Sequence, residues 1–471
     1  MRTRLKKIAL NNFTLAFIIS LPFWFLAGRY INKYTLELSG PLSMSSLYKY
    51  MVYNDLDNNG TSDIIYFGEN QLGNVFAKVY DPAHRGQFNT MGKCIENVPV
   101  TPFFADLNED GFNEILFFSS KDSGTVFLNI VNYVEDTVQE FEICQAGVPG
   151  KRDISCAITH YTDLNRDGSK EILFYINGGY ALQPRAIFSL NPHTGKLKRT
   201  PEMGSKLLPH IIADLDNDGY PEIVCGTFTY QNYPITASMP YDDNHSRLFI
   251  FDHNLEFKVP PLKFLNIRSY VRPALIKEAG EAFIYAFLDT QGDLKIPDKH
   301  YIIGAAGSIN QEKELPAEVT DFNIRHQMVE FGGTVYLLDY SGNLYRVQPG
   351  LVLLRIRKYS QFANCFFWVM DINSDGRPEF IFNHRTTGKL SVADSHLKHI
   401  VSVPESIGNI RWVSPYFSNN GQNSYLLHNE NGNYLLAWYQ NPLWAWRFLI
   451  YAGVLGFFLA LLTVAGRMQA Y

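Results

Sequence analysis

Asp106-Leu-Asn108-Glu-Asp110-Gly111-Phe-Asn-Glu114 is a nine-residue stretch with side-chain oxygens at positions 1, 3 and 5, a glycine at position 6 and a carboxylate at position 9. Four further stretches repeat this pattern, and they read Asp55-Leu-Asp57-Asn-Asn59-Gly60-Thr-Ser-Asp63, Asp163-Leu-Asn165-Arg-Asp167-Gly168-Ser-Lys-Glu171, Asp214-Leu-Asp216-Asn-Asp218-Gly219-Tyr-Pro-Glu222 and Asp371-Ile-Asn373-Ser-Asp375-Gly376-Arg-Pro-Glu379. We number the five copies loops 1 to 5 in chain order. One copy would be a weak signal, but five copies indicate a repeated structural unit with a repeated ligand site.

The side chains at positions 1, 3, 5 and 9 suit a calcium ion, which takes six to eight hard oxygen ligands. The glycine at position 6 permits the sharp turn, and the backbone carbonyl at position 7 adds an oxygen. We therefore predict up to five structural Ca²⁺ ions. Their side-chain ligands are Asp55, Asp57, Asn59 and Asp63; Asp106, Asn108, Asp110 and Glu114; Asp163, Asn165, Asp167 and Glu171; Asp214, Asp216, Asp218 and Glu222; Asp371, Asn373, Asp375 and Glu379.

The last acid distinguishes these loops from an EF-hand. An EF-hand ends on a Glu at position 12 and lies between helices. Here the acid at position 9 opens runs such as Ile115-Leu-Phe-Phe, which are β-branched and aromatic, so the loop joins two strands. The alternative is a set of metal-free hairpin turns, but such turns need no carboxylate at a fixed ninth position. Loop 1 departs most from the pattern, with Asn59 and the shorter Asp63.

The spacing of the loops predicts the architecture. Their first residues fall at 55, 106, 163, 214 and 371, so the gaps are 51, 57, 51 and 157 residues. The last gap is close to three periods of about 52 residues, which places two degenerate repeats near Ala274-Leu-Ile-Lys-Glu-Ala-Gly-Glu-Ala-Phe-Ile-Tyr and Thr320-Asp-Phe-Asn-Ile. An eighth, eroded copy begins at Phe417-Ser-Asn-Asn-Gly. A period near 50 with about four short strands predicts an all-β fold, a β-propeller of eight blades, with seven as the alternative.

The last repeat has only three strands of its own. We expect the segment Asn32-Lys-Tyr-Thr-Leu-Glu-Leu, which precedes the first blade, to supply the fourth. Such a pairing removes a raw sheet edge and brings the two ends of the domain together.

The five loops resemble the FG-GAP or VCBS repeats, a family of calcium-loop propeller repeats also found in integrin α subunits and many bacterial surface proteins. The resemblance covers about residues 30–440, five repeats well and three poorly. It implies a propeller with calcium held by the loop acids, and extracellular binding or adhesion rather than catalysis. It also implies that the three eroded repeats hold no calcium.

Both ends of the chain are apolar. Residues 8–28 form a mostly apolar run long enough to cross about 30 Å of hydrocarbon, after a basic tail at residues 1–7. We predict a transmembrane helix there, with a cleaved signal peptide as the alternative. Residues 448–466 form a second apolar stretch, preceded by an aromatic belt of Trp438, Trp444 and Trp446 and followed by a tail at residues 467–471. The basic N-terminus predicts a two-pass protein with both termini cytoplasmic and the domain at residues 30–440 outside, in an extracytoplasmic or periplasmic location.

Composition excludes several classes of function. The net charge is −5 and no basic block lies beyond the N-terminus, so a nucleic-acid partner is not expected. The five cysteines show no C-x-x-C spacing, and only a Cys144–Cys156 bond is suggested by an oxidising location. No G-x-S-x-G, H-E-x-x-H or Walker sequence occurs, so no enzyme is predicted.

The first functional hypothesis is a membrane-anchored sensor or recognition module that binds a protein or glycan ligand on the funnel face of the propeller. It resembles the sensory half of bacterial membrane histidine kinases, and it would pass a signal through the two helices to a signalling partner. The alternative is a cell-surface adhesion or structural protein without signalling. A propeller enzyme ranks third.

Overall fold

The computed structural model describes residues 12–24, 33–42, 50–80, 85–93, 95, 101–121, 123–146, 154–179, 182–232, 241–278, 280–290, 296–315, 328–339, 341–358, 362–373, 375–417, 424–429 and 432–468. Strands dominate these residues, so the fold is all-β with a helix near each end. The helices are α1 (Asn12–Trp24) and α2 (Leu443–Met468).

In the described part of the chain the strands form eight antiparallel units, numbered in the order of their first strands. Unit 1 comprises β2 (Tyr50–Asn54), β3 (Asp63–Glu69), β4 (Asn74–Tyr80) and β5 (Arg85–Lys93). Unit 2 comprises β6 (Phe103–Ala105), β7 (Glu114–Ser120), β8 (Thr125–Asn132) and β9 (Thr137–Gln145). Unit 3 comprises β10 (Ser155–Thr162), β11 (Glu171–Asn177), β12 (Arg185–Leu190) and β13 (Leu197–Arg199). Unit 4 comprises β14 (Lys206–Leu207), β15 (Ile211–Ala213), β16 (Glu222–Phe228), β17 (Arg247–Phe251) and β18 (Leu262–Lys263), where β14 and β15 both pair with β16.

Units 5 to 8 have four strands each. They comprise β19 (Tyr270–Glu278), β20 (Glu281–Asp289), β21 (Lys299–Ile303) and β22 (Ile309–Glu314); β23 (Met328–Phe331), β24 (Thr334–Leu338), β25 (Asn343–Gln348) and β26 (Val352–Lys358); β27 (Cys365–Met370), β28 (Glu379–His384), β29 (Lys389–Ala393) and β30 (Ile400–Ser406); β31 (Ile410–Tyr416), β32 (Ser424–Asn429), β33 (Gly432–Gln440) and β1 (Tyr34–Leu42). Single residue pairs, Lys93↔Ser120 and Phe228↔Tyr270, join units 1 to 2 and 4 to 5.

The second and third strands of a unit are buried on both faces. Every residue of β12, β16 and β17 is buried, whereas all residues of the outer strand β9 except Ile143 are exposed or half-buried. Strands covered on both faces need continuous apolar runs, which explains the Ile-Leu-Phe-Phe type of segment after each loop.

Hydrophobic cores lie between consecutive units. Seven clusters join unit 1 to 2, 2 to 3, and so on to unit 8. An eighth cluster joins unit 8 back to unit 1, where Met51 and Tyr53 pack against Leu426. The side chain of Asn433 also donates a hydrogen bond to the carbonyl of Met51 at 3.2 Å. Each unit therefore buries its faces against two neighbours.

Strand β1 completes unit 8, as the sequence predicts. It pairs antiparallel with β33 from Tyr34↔Gln440 to Leu42↔Asn433. The Tyr34 ring stacks on Trp438 at 4.9 Å between centroids. Beyond the sheet, the Asn441 amide donates to the Lys33 carbonyl at 2.9 Å. The two ends of the domain lie side by side.

The eroded repeats have short connections where the structure describes them. In unit 5, β19 and β20 form a hairpin at Gly280, within the stretch expected to hold a degenerate repeat. In unit 6 the corresponding hairpin turns at Gly332 and Gly333. The repeat expected at residues 320–324 lies outside the described residues, as do residues 418–423 of the eighth copy.

Among the described residues one helix is long and apolar enough to cross a membrane, residues 443–465 of α2 with a mean hydropathy of 2.4. It begins five residues before the predicted start at 448, because the Asn441 side chain caps it through the Leu443 amide at 3.0 Å. The predicted segment at residues 8–28 is described only over α1, a shorter apolar helix. Residues 1–7 and 469–471 lie outside the described residues. Helix α1 contacts α2 through Phe23 and Phe458, whose rings are 5.0 Å apart.

The suggested Cys144–Cys156 bond is absent. Cys144, Cys156 and Cys225 are not in disulfide bonds, and Cys94 lies outside the described residues. Cys144 and Cys156 fill the apolar core between units 2 and 3, where burial raises the pKa of the Cys144 thiol to about 12.

Candidate metal sites in the repeated loops

The five loops occupy one structural position. Each connects the first strand of its unit to the second, in units 1, 2, 3, 4 and 7, and its ninth residue is the first residue of the second strand. The ninth carboxylates are all buried, with exposures of 1 to 8 % for Asp63, Glu114, Glu171, Glu222 and Glu379. The structure thus brings the predicted ligands of each loop together at the end of a first strand.

Loop 2 shows the internal hydrogen bonds. The Gly111 amide donates to Asp106 Oδ2 at 2.9 Å, and the Phe112 amide donates to Asp110 Oδ1 at 2.8 Å. The Leu107 amide donates to Glu114 Oε2 at 2.8 Å. The same three bonds recur in the other four loops. Each carboxylate oxygen keeps a second lone pair after accepting one such bond.

Two left-handed residues curl the loop. In loop 2 they are Glu109, with φ 62°, and Gly111, with φ 90°. The fourth position is also left-handed in loops 1, 3 and 4, and the glycine at position 6 is left-handed in every loop. These two turns direct the side chains at positions 1, 3 and 5 toward one centre.

The donor set fits a hard cation. In loop 1 carboxylate oxygens of Asp55, Asp57 and Asp63 lie within 4.8 Å of one another. In loops 2, 3 and 5 the third position is an asparagine, whose amide oxygen is an equivalent ligand. Oxygen-only donors favour calcium or magnesium over softer metals.

Electrostatics in these loops also favour a cation. Burial, together with the nearby Asp375 and Asp371, raises the pKa of Glu379 to about 7. Burial likewise raises the pKa of Glu114 and of Glu171, and neighbouring loop acids add to the effect. Ionised carboxylates packed this closely repel one another, and a bound cation removes that cost.

Loop 4 differs because a lysine enters it. Lys258 Nζ lies 2.6 Å from Asp216 Oδ2 and 3.6 Å from Asp218 Oδ2. It also contacts Glu222 Oε1. Oxygens of Asp214, Asp216 and Asp218 come within 4.8 Å of one another, which would suit a metal, but the ammonium lies among them. The sequence pattern gave no sign of this lysine, which lies 36 residues beyond Glu222.

All five loops lie at the same end of the units. Loop 1 contacts loop 2 through Asn58, whose side chain donates to the Gly111 carbonyl at 2.6 Å. Loop 1 also meets unit 8, where the Ser62 amide donates to the Phe417 carbonyl at 2.9 Å. The Tyr425 hydroxyl donates to the Asp371 carbonyl of loop 5 at 3.0 Å. Because β31, β32, β33 and β1 alternate in direction, β33 ends and β1 begins at this end as well.

A cavity of about 640 Å³ lies toward the other end. The first strands of units 5, 7 and 8 line it near their starts, with Arg272, Phe366, Phe367, Trp368, Asn409, Ile410 and Arg411. The Arg385 guanidinium lies 4.2 Å from the centre of the Phe366 ring. Sequence reasoning missed this site because its residues come from three separate strands and share no motif.

Comparisons with known proteins give no family. No protein-family model matches the chain, and no curated protein matches it. Two solved structures align over most of it. BBS1N in complex with ARL6DN aligns at 10% identity and a TM-score of 0.41, over 86% of this chain and 96% of that chain. The V. cholerae biofilm matrix protein Bap1 aligns at 12% identity and a TM-score of 0.37, over 85% of this chain and 90% of that chain. Both TM-scores are below 0.5, so the description of the fold rests on this chain's own strand pairing.

Proposed function

We propose that this chain is a membrane-anchored, calcium-binding β-propeller of eight blades that recognises an extracytoplasmic ligand and acts as a sensor. The observation that carries the recognition role is the arginine-lined cavity, which lies at the opposite end of the units from the helices.

The propeller is supported by the unit order. Each of the eight units packs on the next through an apolar cluster, and unit 8 packs on unit 1. A ring of blades uses such contacts in place of exposed sheet edges. Strand β1 in unit 8 acts as the closing strand in this proposal.

Calcium is proposed for loops 1, 2, 3 and 5. The ligands would be the side chains at positions 1, 3, 5 and 9. The ion would balance the negative charge of the carboxylates among them. In this role the metal is structural. Internal hydrogen bonds fix the backbone of each loop, and the ion would hold the loop's carboxylates together. Binding to the folded state alone would stabilise the domain.

The membrane arrangement follows from strand direction. Helix α2 follows β33, and α1 precedes β1, so both helices leave the end that holds the calcium loops. The loops would then face the membrane, and the cavity would face away from it. A two-pass anchor with the propeller outside a bacterial inner membrane is the proposed topology. The contact of Trp24 with Tyr451, at 5.8 Å, supports a helix pair that could transmit a signal to a partner.

The cavity favours an acidic glycan. Two guanidinium groups, Arg272 and Arg411, suit a carboxylate, since arginine forms bidentate bonds with such groups. The rings of Phe366 and Trp368, 6.4 Å apart, offer apolar surface for the sugar ring. The cavity volume is in the range of small-ligand sites.

Binding of sugar acids to the detergent-solubilised full chain tests this proposal. We expect glucuronate or galacturonate oligomers, but not their neutral counterparts, to raise the melting temperature. The double variant Arg272→Gln/Arg411→Gln should abolish the shift, while Arg355→Gln, on the outer strand β26, should preserve it. Equal responses of both variants, or no response to any acidic oligomer, would reject the cavity as the recognition site.

A further inference from the structure

We infer that loop 4 is neutralised by the chain's own Lys258 ammonium group and binds no metal ion, unlike loops 1, 2, 3 and 5. The inference uses the proposed calcium role of those four loops as its reference. Its geometric basis is the position of Lys258 Nζ among Asp216, Asp218 and Glu222.

The backbone fixes Lys258 at this position. It follows the turn after β17, and its amide donates to the Ile250 carbonyl at 3.0 Å. The preceding residue, Phe257, packs on Phe251 at 5.0 Å between ring centres. The lysine side chain therefore begins from a hydrogen-bonded hairpin and reaches across β17 to Glu222 at the start of β16.

The corresponding positions in units 2, 3 and 7 show that a lysine entering the loop is particular to unit 4. The residue of the fourth strand at the register of Lys258 is Gln139 in unit 2, Lys198 in unit 3 and Val401 in unit 7. Lys198 is a natural control, because its Nζ donates to Asn254 Oδ1 at 3.3 Å. A lysine at this position thus does not enter the loop by default.

A second difference accompanies the lysine. In unit 2 the Asn132 side chain donates to Glu114 Oε1 at 2.9 Å. In unit 3 Asn191, at the same place after the third strand, bonds Glu171. Units 4 and 7 have Asp252 and Asp394 there, carboxylates that cannot donate when ionised. In unit 7 the Asn373 side chain donates to Glu379 Oε1 at 3.2 Å instead. Lys258 provides the donor that Glu222 would otherwise lack.

Charge explains why this arrangement excludes a metal. Loop 4 has four carboxylates at its ligand positions, more than loops 2, 3 and 5. A divalent cation at the centre of loop 4 would bind the same carboxylate oxygens that the Lys258 ammonium group contacts. The two positive charges would therefore lie close together. Like charges at that separation repel strongly away from bulk water. Calcium could enter only if Lys258 withdrew into solvent and gave up three carboxylate contacts.

The decisive measurement is the number of calcium ions bound per detergent-solubilised full chain, by equilibrium dialysis at saturating calcium. We expect four for the natural sequence, five for Lys258→Met and four for the control Lys198→Met. The fifth ion should disappear again when Asp218→Ala, which removes a ligand oxygen altogether, is combined with Lys258→Met. A count of five in the natural sequence, or a folded Lys258→Met variant that still binds four, overturns the inference.

A second comparison avoids a variant that may lose its fold. In the natural background Asp218→Ala should leave the calcium count unchanged, while Asp110→Ala in loop 2 should lower it by one. An equal loss from both variants overturns the inference.

Failure of the calcium proposal gives a different result, in which the natural sequence binds no calcium. The contribution of Lys258 to stability is then measured from melting temperatures in the presence of a chelator. Lys258→Met should then melt several degrees lower than Lys198→Met. Equal melting temperatures for the two variants would overturn the inference.

Discussion

Loops 3 and 4 share a backbone and differ in whether an ammonium group lies among their acids. In both, the first aspartate accepts the amide of the glycine, and the ninth glutamate accepts the amide of position 2. Loop 3 relies on an asparagine for its side-chain contact to Glu171, whereas loop 4 has an ammonium among its acids. The comparison teaches that the nine-residue pattern specifies a loop shape that gathers carboxylates. Whether a side-chain cation enters that loop is decided elsewhere in the chain.

Removing calcium should have the largest effect. It should act on loop 3 and the other loops proposed to bind calcium, but not on loop 4. With free calcium at a hundred times its dissociation constant, each site adds about 2.7 kcal/mol of stability. Chelation of four sites should therefore lower the melting temperature of the full chain by on the order of 10 °C.

Amide hydrogen exchange measures where that loss occurs. We expect faster exchange in β3, β7, β11 and β28 after chelation, and little change in β16. Uniform acceleration across all five strands would show that loop 4 also depends on the metal, and no acceleration anywhere would argue against calcium altogether.

The glycines at position 6 should give the next largest difference. Gly111 and Gly219 have φ of 90° and 94°, so alanine at either site costs about 1–2 kcal/mol. A Cβ at Gly111 would meet open space, but a Cβ at Gly219 would collide with the Arg166 guanidinium from loop 3. Because that guanidinium is the exposed, movable end of a side chain, Gly219→Ala should melt only slightly lower than Gly111→Ala, through loss of the Arg166 contact with the Tyr220 ring. A larger loss in Gly111→Ala would contradict the close approach of loops 3 and 4.

The histidines ahead of the two loops should give the smallest difference, and it depends on pH. Burial lowers the pKa of His210 to about 3, and it lowers that of the half-buried His160 less far. A histidine with a lowered folded pKa contributes stability that is complete above its unfolded pKa of about 6.5 and is lost as pH falls toward the folded value.

Melting temperatures between pH 7 and pH 4 test this assignment. The natural sequence should lose stability over that range, and His210→Gln should lose less of it than His160→Gln. His210 Nε2 lies 2.6 Å from Thr159 Oγ1, a bond that a glutamine side chain can replace. Identical pH profiles for the two variants would place the acid sensitivity in other groups.

The repeats could be predicted because they are local. Nine consecutive residues define each loop, and the spacing of the loops predicted a unit of four strands and the pairing of β1 with β33. Lys258 could not be predicted, since its position depends on how the turn at Asp252 brings a later residue back across β17. The cavity had the same difficulty, because Arg272 and Arg411 are 139 residues apart in the chain and meet only through the arrangement of units 5 and 8.

The pairing of β1 with β33 also sets an order of events during synthesis. Tyr34 is made early, but its partner Gln440 follows about 400 residues later. Throughout that interval β1 must remain unpaired while the other units form one after another. A nascent or truncated chain that ends before Gly432 would expose the free edges of β1 and β32, which are ready sites for pairing with another chain. The last strand to be made is thus also the one that protects the first from aggregation.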